Sequence, residues 1–334
     1  MTISGALLNV LCRRYRFVID ESVPVLFAVR SALPVEIMRG NFTVSGTFKS
    51  AHPVRPVRLN YQTVRCTVGI WIPSSGEVAL FPGSTVPSAA YVYRHPDSRA
   101  TFNILKPGLY RLKRGLHPRS ERGFQRHPAF LMDGYGLVEV PGLVKAGRTA
   151  RFDFRKVQYK VMLPGDNLHA ARTEPEAGQD SRQNCLASLR LPYSSSGCIT
   201  VTGQPAPYVR NPTADSGWNC WMHFSDLLDR PAFRSGQYDL LLFDDSDLAG
   251  EHPSASGGSL RYGSTGPDVA RVQKILGSVL NGKTGRPFYE GPADGSFTGA
   301  TASAYLHFQE TFTRGPLTGQ VDLRPFLNAT KHFR

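Results

Sequence analysis

Through the first 250 residues, apolar and polar side chains alternate with a period of two, in short runs separated by turns that carry glycine. The stretch TVGIWIPSSGEVALF reads as two strands about Ser74-Ser75-Gly76, and FNILKPGLYRLKRG as two strands about Lys106-Pro107-Gly108. GYGLVEVPGLV, ARFDFRKVQYKVML and GQYDLLLFDD continue the style. Many short strands at this spacing predict a mainly β domain built as an antiparallel sheet or sandwich. Beyond residue 260 the period becomes helical. Val269, Val272, Ile275, Leu276 and Leu280 share one face, behind the start signal Gly266-Pro267-Asp268. A second helix is expected over Thr301–Thr311, with Ala304, Tyr305 and Phe308 inward and the turn Asp294-Gly295 ahead of it. Between the two patterns, GEHPSASGGSL has the small, polar composition of a flexible linker. The expected organisation is a β-rich domain over 1–249, a linker over 250–259 and a small all-α domain over 260–334.

Composition agrees with this division. The chain of 334 residues is 41% apolar, enough to bury a sizeable core, and its 32 Gly and 25 Pro favour turn-rich β structure over a helical array. The net charge is +13, and it is uneven: residues 1–165 hold 24 basic against 9 acidic side chains, residues 166–334 hold 15 against 17. Any polyanion is therefore met by the first half. The Arg-rich stretch Arg111–Arg126 carries no nucleic-acid fold signature, so no nucleic-acid partner is expected. Asp244-Asp245-Ser246-Asp247 lacks the spaced ligands of a calcium loop and reads as a solvated loop; no metal or other cofactor is expected. No run approaches the roughly 18 apolar residues of a membrane span. The opening MTISGALLNVLCRRYRF places its charges after its apolar run, a poor Sec signal, and Leu7, Leu8 and Leu11 read as core.

Candidate chemistry begins with the cysteines. Cys12, Cys66, Cys185, Cys198 and Cys220 form an odd set without a CxxC pair, which disfavours a zinc ribbon and a complete disulfide framework. Cys12, Cys66 and Cys220 read as small buried hydrophobes. A disulfide of Cys185 with Cys198 or Cys220 stays open for an oxidising compartment. Cys198 differs because it follows the turn Ser195-Ser196-Gly197, and the segment Asp166-Asn167-Leu168-His169 lies upstream. A thiol nucleophile needs a base, a group that orients the base, and backbone N–H donors for the oxyanion. His169 is the candidate base. Asp166 either orients it or caps the turn, and the Ser196–Cys198 backbone, with Gly197 allowing close approach, supplies the donors. Trp218, Trp221, His223 and Phe224 either wall a cleft or fill core.

The Ser195-Ser196-Gly197-Cys198 segment, with ALFPGSTVPS (Ala79–Ser88) and LKPGLYRL (Leu105–Leu112) upstream, resembles the L,D-transpeptidase catalytic domain over about residues 55–225. A divergent branch with Asp-Asn-x-His followed by Ser-x-Gly-Cys fits Asp166–His169 and Gly203 better still. The departures are Ala170 after the histidine, Ser196 where a second His is common, Thr200 where Arg or Asn is frequent, and a 29-residue interval from His169 to Cys198 that the insertion Arg172–Asn184 accounts for. Downstream, GSTGPDVARVQKIL (Gly263–Leu276), DGSFTGATASAYLHFQ (Asp294–Gln309) and LTGQVD (Leu317–Asp322) resemble the three-helix peptidoglycan-binding module. Thr298 stands where that family has Gly, and the loop Asn281–Pro292 is longer than usual. Phe297 and Phe308 are expected in its core and Gln309 at a tie between helix end and loop.

The two resemblances imply a peptidoglycan-modifying enzyme at the periplasm or cell wall, an L,D-transpeptidase or L,D-carboxypeptidase with Cys198 as nucleophile and His169 as base. Without a Sec signal, delivery by injection as an antibacterial effector is one route, with a secretion-system component and an immunity protein as partners. A non-catalytic wall-binding protein of a phage or secretion machine is the alternative, and a nucleic-acid binder a third.

Overall fold

The computed structural model describes residues 1–39, 42–95, 99, 102–117, 126–147, 149–171, 193–205, 219–249, 258–313 and 317–331. The chain opens with β1 (Thr2–Ser4) and α1 (Gly5–Tyr15), whose first turn is capped by Ser4 Oγ accepting from Leu7 N–H. Then come β2 (Val25–Arg30), β3 (Ala32–Pro34), the single turns α2 (Val35–Met38) and α3 (Phe42–Ser45), and β4 (Ala51–Pro56). The hairpin β5 (Cys66–Ile72) and β6 (Glu77–Ser84) turns through Gly76 as the sequence indicates. After α4 (Ala89–Arg94) follow β7 (Ile104–Leu105), β8 (Gly108–His117), β9 (His127–Met132), β10 (Gly136–Ala146) and β11 (Thr149–Met162). Two three-residue strands, β12 (Leu168–Ala170) and β13 (Ile199–Val201), precede α5 (Cys220–Asp229), β14 (Gln237–Asp244) and α6 (Asp245–Ala249). The chain continues with β15 (Ser259–Leu260), α7 (Pro267–Ser278), α8 (Gly299–Phe312), β16 (Val321–Asp322) and α9 (Leu323–Ala329).

Strand outweighs helix, as expected, but the main sheet is neither an open antiparallel sheet nor a sandwich. Eight strands close into a barrel in the order β12-β13-β6-β5-β2-β14-β8-β9. Two of its pairs are parallel, β2 with β14 and β12 with β13, which period-two patterning cannot reveal because alternation is the same for either direction. Lys106-Pro107 is also not a hairpin turn. β7 pairs with β10 and β8 with β14 and β9, so the two residues carry the chain from one sheet to another. Closure explains the burial: Leu26, Val68, Phe81, Leu112, Phe130, Leu168, Ile199 and Leu240, one from each barrel strand, join a single core cluster inside the barrel. On the outer face of β2, β5, β6 and β14, Phe27, Trp71, Leu80 and Phe243 pack under α1 through Leu8 and Leu11.

The C-terminal region is not all-helical. Helices α7, α8 and α9 share a core around Phe297 and Phe308, both buried, beside the ribbon β15–β16. Gln309 ties its helix to a loop, accepting from Thr318 and Gly319 N–H and donating to Thr318 Oγ1. Residues 250–257 of the expected linker lie outside the described residues; Ser259 is already in a strand. Leu137 of β10 belongs to the same C-terminal cluster, and Tyr159 and Val161 of β11 pack on it. The acidic run Asp244–Asp247 is not a solvated loop. Asp247 is buried and takes both Nη1 and Nη2 of Arg261, each at 2.8 Å, with the Tyr15 hydroxyl donating to it at 2.6 Å. That cluster joins α1, α6 and the C-terminal region. A cavity of about 480 Å³ opens beside it, lined by Arg111, Asp133, Tyr135 and Tyr262 among others; none of the five candidate site residues lines it.

Candidate active site

Parallel pairing of two very short strands assembles the site. Leu168 pairs with Ile199 and His169 with Thr200, so the residues just ahead of each strand, Asp166-Asn167 on one and Gly197-Cys198 on the other, run side by side. Leu168 and Ala170 face the barrel core, and so does Ile199. Alternation then sends His169 to the outer face, together with Cys198 in continuation of β13. The same parity holds on the neighbouring strands: Leu112, Phe130 and Met132 point inward, and His117 and His127, paired across β8 and β9, point outward. Three imidazoles and a thiol thus meet on one patch.

Their geometry is specific. His117 and His169 stack with centroids 4.4 Å apart and planes inclined by 7°, and His127 meets both edge-on, at 5.7 and 6.2 Å. One ligating atom from each of His117, His169 and Cys198 lies within 4.8 Å of the other two. His169 is 2% exposed and Cys198 7%. His169 Nδ1–H donates to the Ala170 carbonyl at 2.7 Å, which fixes the proton on Nδ1 and leaves the Nε2 lone pair to accept. Burial drives His169 well below the ordinary histidine range. Repulsion from His117 and His127 adds to this, and the Ala170 carbonyl opposes it. The resting pair is therefore a neutral imidazole beside the sulfur, whose Sγ–H points to the Gly165 carbonyl at 3.7 Å.

The other expected site residues occupy different roles from those their spacing suggests. Asp166 does not orient His169, since the Ala170 carbonyl does. Asp166 is 2% exposed, hydrogen-bonds Asn103, and its Oδ2 has no partner among the described residues. Burial raises its carboxyl well above the ordinary range, against the pull of Asn103 and Arg30. Gly197 is needed for packing: a Cβ there would stand 2.6 Å from Asp166 Oδ1 and 2.8 Å from the Asn103 carbonyl. Its N–H, expected at the oxyanion, donates to Ser195 Oγ at 3.1 Å, and the Ser196 carbonyl accepts from Asn103 N–H. Ser195 Oγ–H closes the turn on the Cys198 carbonyl at 2.8 Å. Trp221 and Phe224 of α5 belong to the barrel core; Trp218 lies outside the described residues. Cys12, Cys66 and Cys220 are buried, as expected of small hydrophobes, and any pairing of Cys185 lies outside the described residues.

Two residues of this patch escape reading from sequence. His117 sits inside the Arg-rich stretch, 52 residues before His169, and only closure of the barrel brings it near. Asn167 Oδ1 accepts from Met132 N–H at 3.1 Å, which sets the amide's orientation, and its Nδ2 then faces His117 Nδ1 at 3.1 Å. No protein family, curated protein or solved structure matches this chain.

Proposed function

We propose that this chain is a cysteine-dependent peptidoglycan-modifying enzyme, an L,D-transpeptidase or L,D-carboxypeptidase acting on stem peptides, with a peptidoglycan-binding C-terminal region. The observation that carries the reading is the Cys198–His169 pair, with the Ala170 carbonyl holding the imidazole so that Nε2 is the accepting nitrogen. The resemblances around Ser195–Cys198 and Gly263–Gln309 supply the substrate class.

The chemistry follows from that pair. Cys198 sulfur attacks the carbonyl of the penultimate stem residue while its proton passes to His169 Nε2. Collapse of the tetrahedral adduct breaks the peptide bond, and His169 returns the proton to the departing D-amino acid amine. An acyl thioester remains on Cys198. An amine or a water then attacks the thioester, gives its proton to His169, and the thiol is restored; the amine makes a transpeptidase and water a carboxypeptidase. A neutral resting His169 suits this sequence, because proton uptake coincides with bond formation. The C-terminal region raises the effective concentration of wall polymer without adding chemistry. Periplasmic or wall localisation, reached by injection, and a secretion-system component and immunity protein as partners, belong to the same proposal.

The slight exposure of Cys198, 7%, favours a second reading, a non-catalytic wall-binding protein with an inert thiol. Digestion of purified peptidoglycan read by mass separates the two. The enzyme reading expects shortened or D-amino-acid-exchanged muropeptides with the native protein and none with Cys198→Ala. Identical profiles for both proteins would leave only the wall-binding reading.

A further inference from the structure

Beside the thiol and its base stands a second imidazole for which the reaction above has no use. His117 is stacked on His169, and one of its nitrogens is among the atoms within 4.8 Å of Cys198 Sγ and His169. Two His and one Cys at that spacing could also be three ligands of a zinc ion. Asn167 discriminates between these uses. Met132 N–H can donate only to an oxygen, so Oδ1 is fixed on it and the NH2 group faces His117 Nδ1. An NH2 donor requires a lone pair on Nδ1, and a neutral His117 must then carry its proton on Nε2. A metal on Nδ1 would displace the Asn167 contact. A metal on Nε2 would force the proton to Nδ1, donor against donor.

We propose that Asn167 holds His117 as an Nε2–H hydrogen-bond donor that stabilises the Cys198 thiolate, so that the three-residue group is a nucleophile with one base and one donor and not a metal site. This rests on Cys198 being the nucleophile. The division of labour is set by two different acceptors and donors on two similar rings. The Ala170 carbonyl puts the His169 proton on Nδ1, and the Asn167 amide puts the His117 proton on Nε2. The stack therefore presents one lone pair and one N–H to the same side-chain patch. His117 is the catalytic donor and Asn167 a positioning residue. Among the described residues, the other titratable or charged groups near the thiol are His127 from β9, Asp166 ahead of β12, and Arg30 of β2, whose charge acts on Asp166.

The test is site-resolved alkylation of Cys198 by iodoacetamide as a function of pH in the full-length protein, which needs no peptidoglycan. Removing a donor to a charged acceptor should raise the midpoint of the pH–rate profile by ~1–2 pH units in His117→Leu. His117→Gln, which keeps an N–H near the Nε2 position, should restore most of that shift. Asn167→Asp keeps an oxygen for Met132 N–H but offers His117 Nδ1 a carboxylate, drawing the proton to Nδ1; its alkylation should become sensitive to micromolar Zn²⁺ where the native protein is not. Two results would overturn the proposal: an unmoved midpoint in His117→Leu, or stoichiometric Zn²⁺ protection of the native thiol. If the alkylation profiles behave as expected while muropeptides stay unchanged, the substrate assignment fails and the donor assignment stands.

Discussion

Two buried polar clusters, about equally hidden, are built on opposite terms. In the seam cluster, Asp247 holds the Arg261 guanidinium with both oxygens, takes the Tyr15 hydroxyl, and accepts Asp244 N–H at 3.0 Å. Burial pushes that carboxyl up, and the guanidinium outweighs it, so Asp247 sits below the ordinary range. At the thiol patch, Asp166 has an oxygen without a partner among the described residues and is raised, and His169 is lowered. Burial favours the uncharged form of each. A saturated ionic cluster fixes two parts of the chain together, whereas groups near a thiol whose uncharged form is favoured can accept or release a proton during a reaction.

Breaking each cluster should give effects of different kind. Cys198→Ala should abolish stem-peptide turnover, and His169→Gln should lower it by ~10²–10⁴-fold with little change in melting temperature, read by muropeptide mass and thermal unfolding. Arg261→Ala, which strands Asp247, should cost ~3–5 kcal/mol in denaturant titration, while the paired change Arg261→Met with Asp247→Leu should recover most of it. Gly263→Ala should cost ~1–3 kcal/mol at the same seam, because the residue has φ +89° and its new Cβ would stand 2.5 Å from the Leu109 carbonyl.

The smallest and most specific contrast is in pH dependence. Asp166 is raised, so its contribution is present below the ordinary carboxyl value and is lost as pH climbs through the raised one. Asp247 is lowered, so its contribution is present above the ordinary value and is lost as pH falls through the lowered one. Asp166→Asn should therefore flatten the loss of stability as pH rises above the ordinary carboxyl value and leave stability below that value unchanged, measured as melting temperature against pH. An unchanged slope above the ordinary carboxyl value in that variant would contradict the assignment.

How much of this could be read from the chain depends on range. The hairpin through Gly76, the helices α7 and α8, and the core places of Phe297 and Phe308 rest on local periodicity and turn chemistry, and they stand as expected. Strand direction and closure rest on partners tens of residues away, so the parallel pairs and the barrel did not show. The same divide runs through the site. Cys198 and His169 stand out in the chain through their glycine and histidine context, and the fold brings them near one another. Nearness in sequence leaves two roles open for Asp166, and the Ala170 carbonyl is what takes the His169 ring N–H. His117 was hidden among arginines, and Asn167 passed for part of a turn because its two partners come from β8 and β9.

The most direct measurement is the intact mass of the protein after brief mixing with a stem tetrapeptide. A Cys198 acyl-enzyme predicts an added mass equal to the tetrapeptide minus its terminal D-amino acid, present in the native protein and missing in Cys198→Ala. An unmodified native protein, under conditions where iodoacetamide labels Cys198, would contradict the acyl-transfer account.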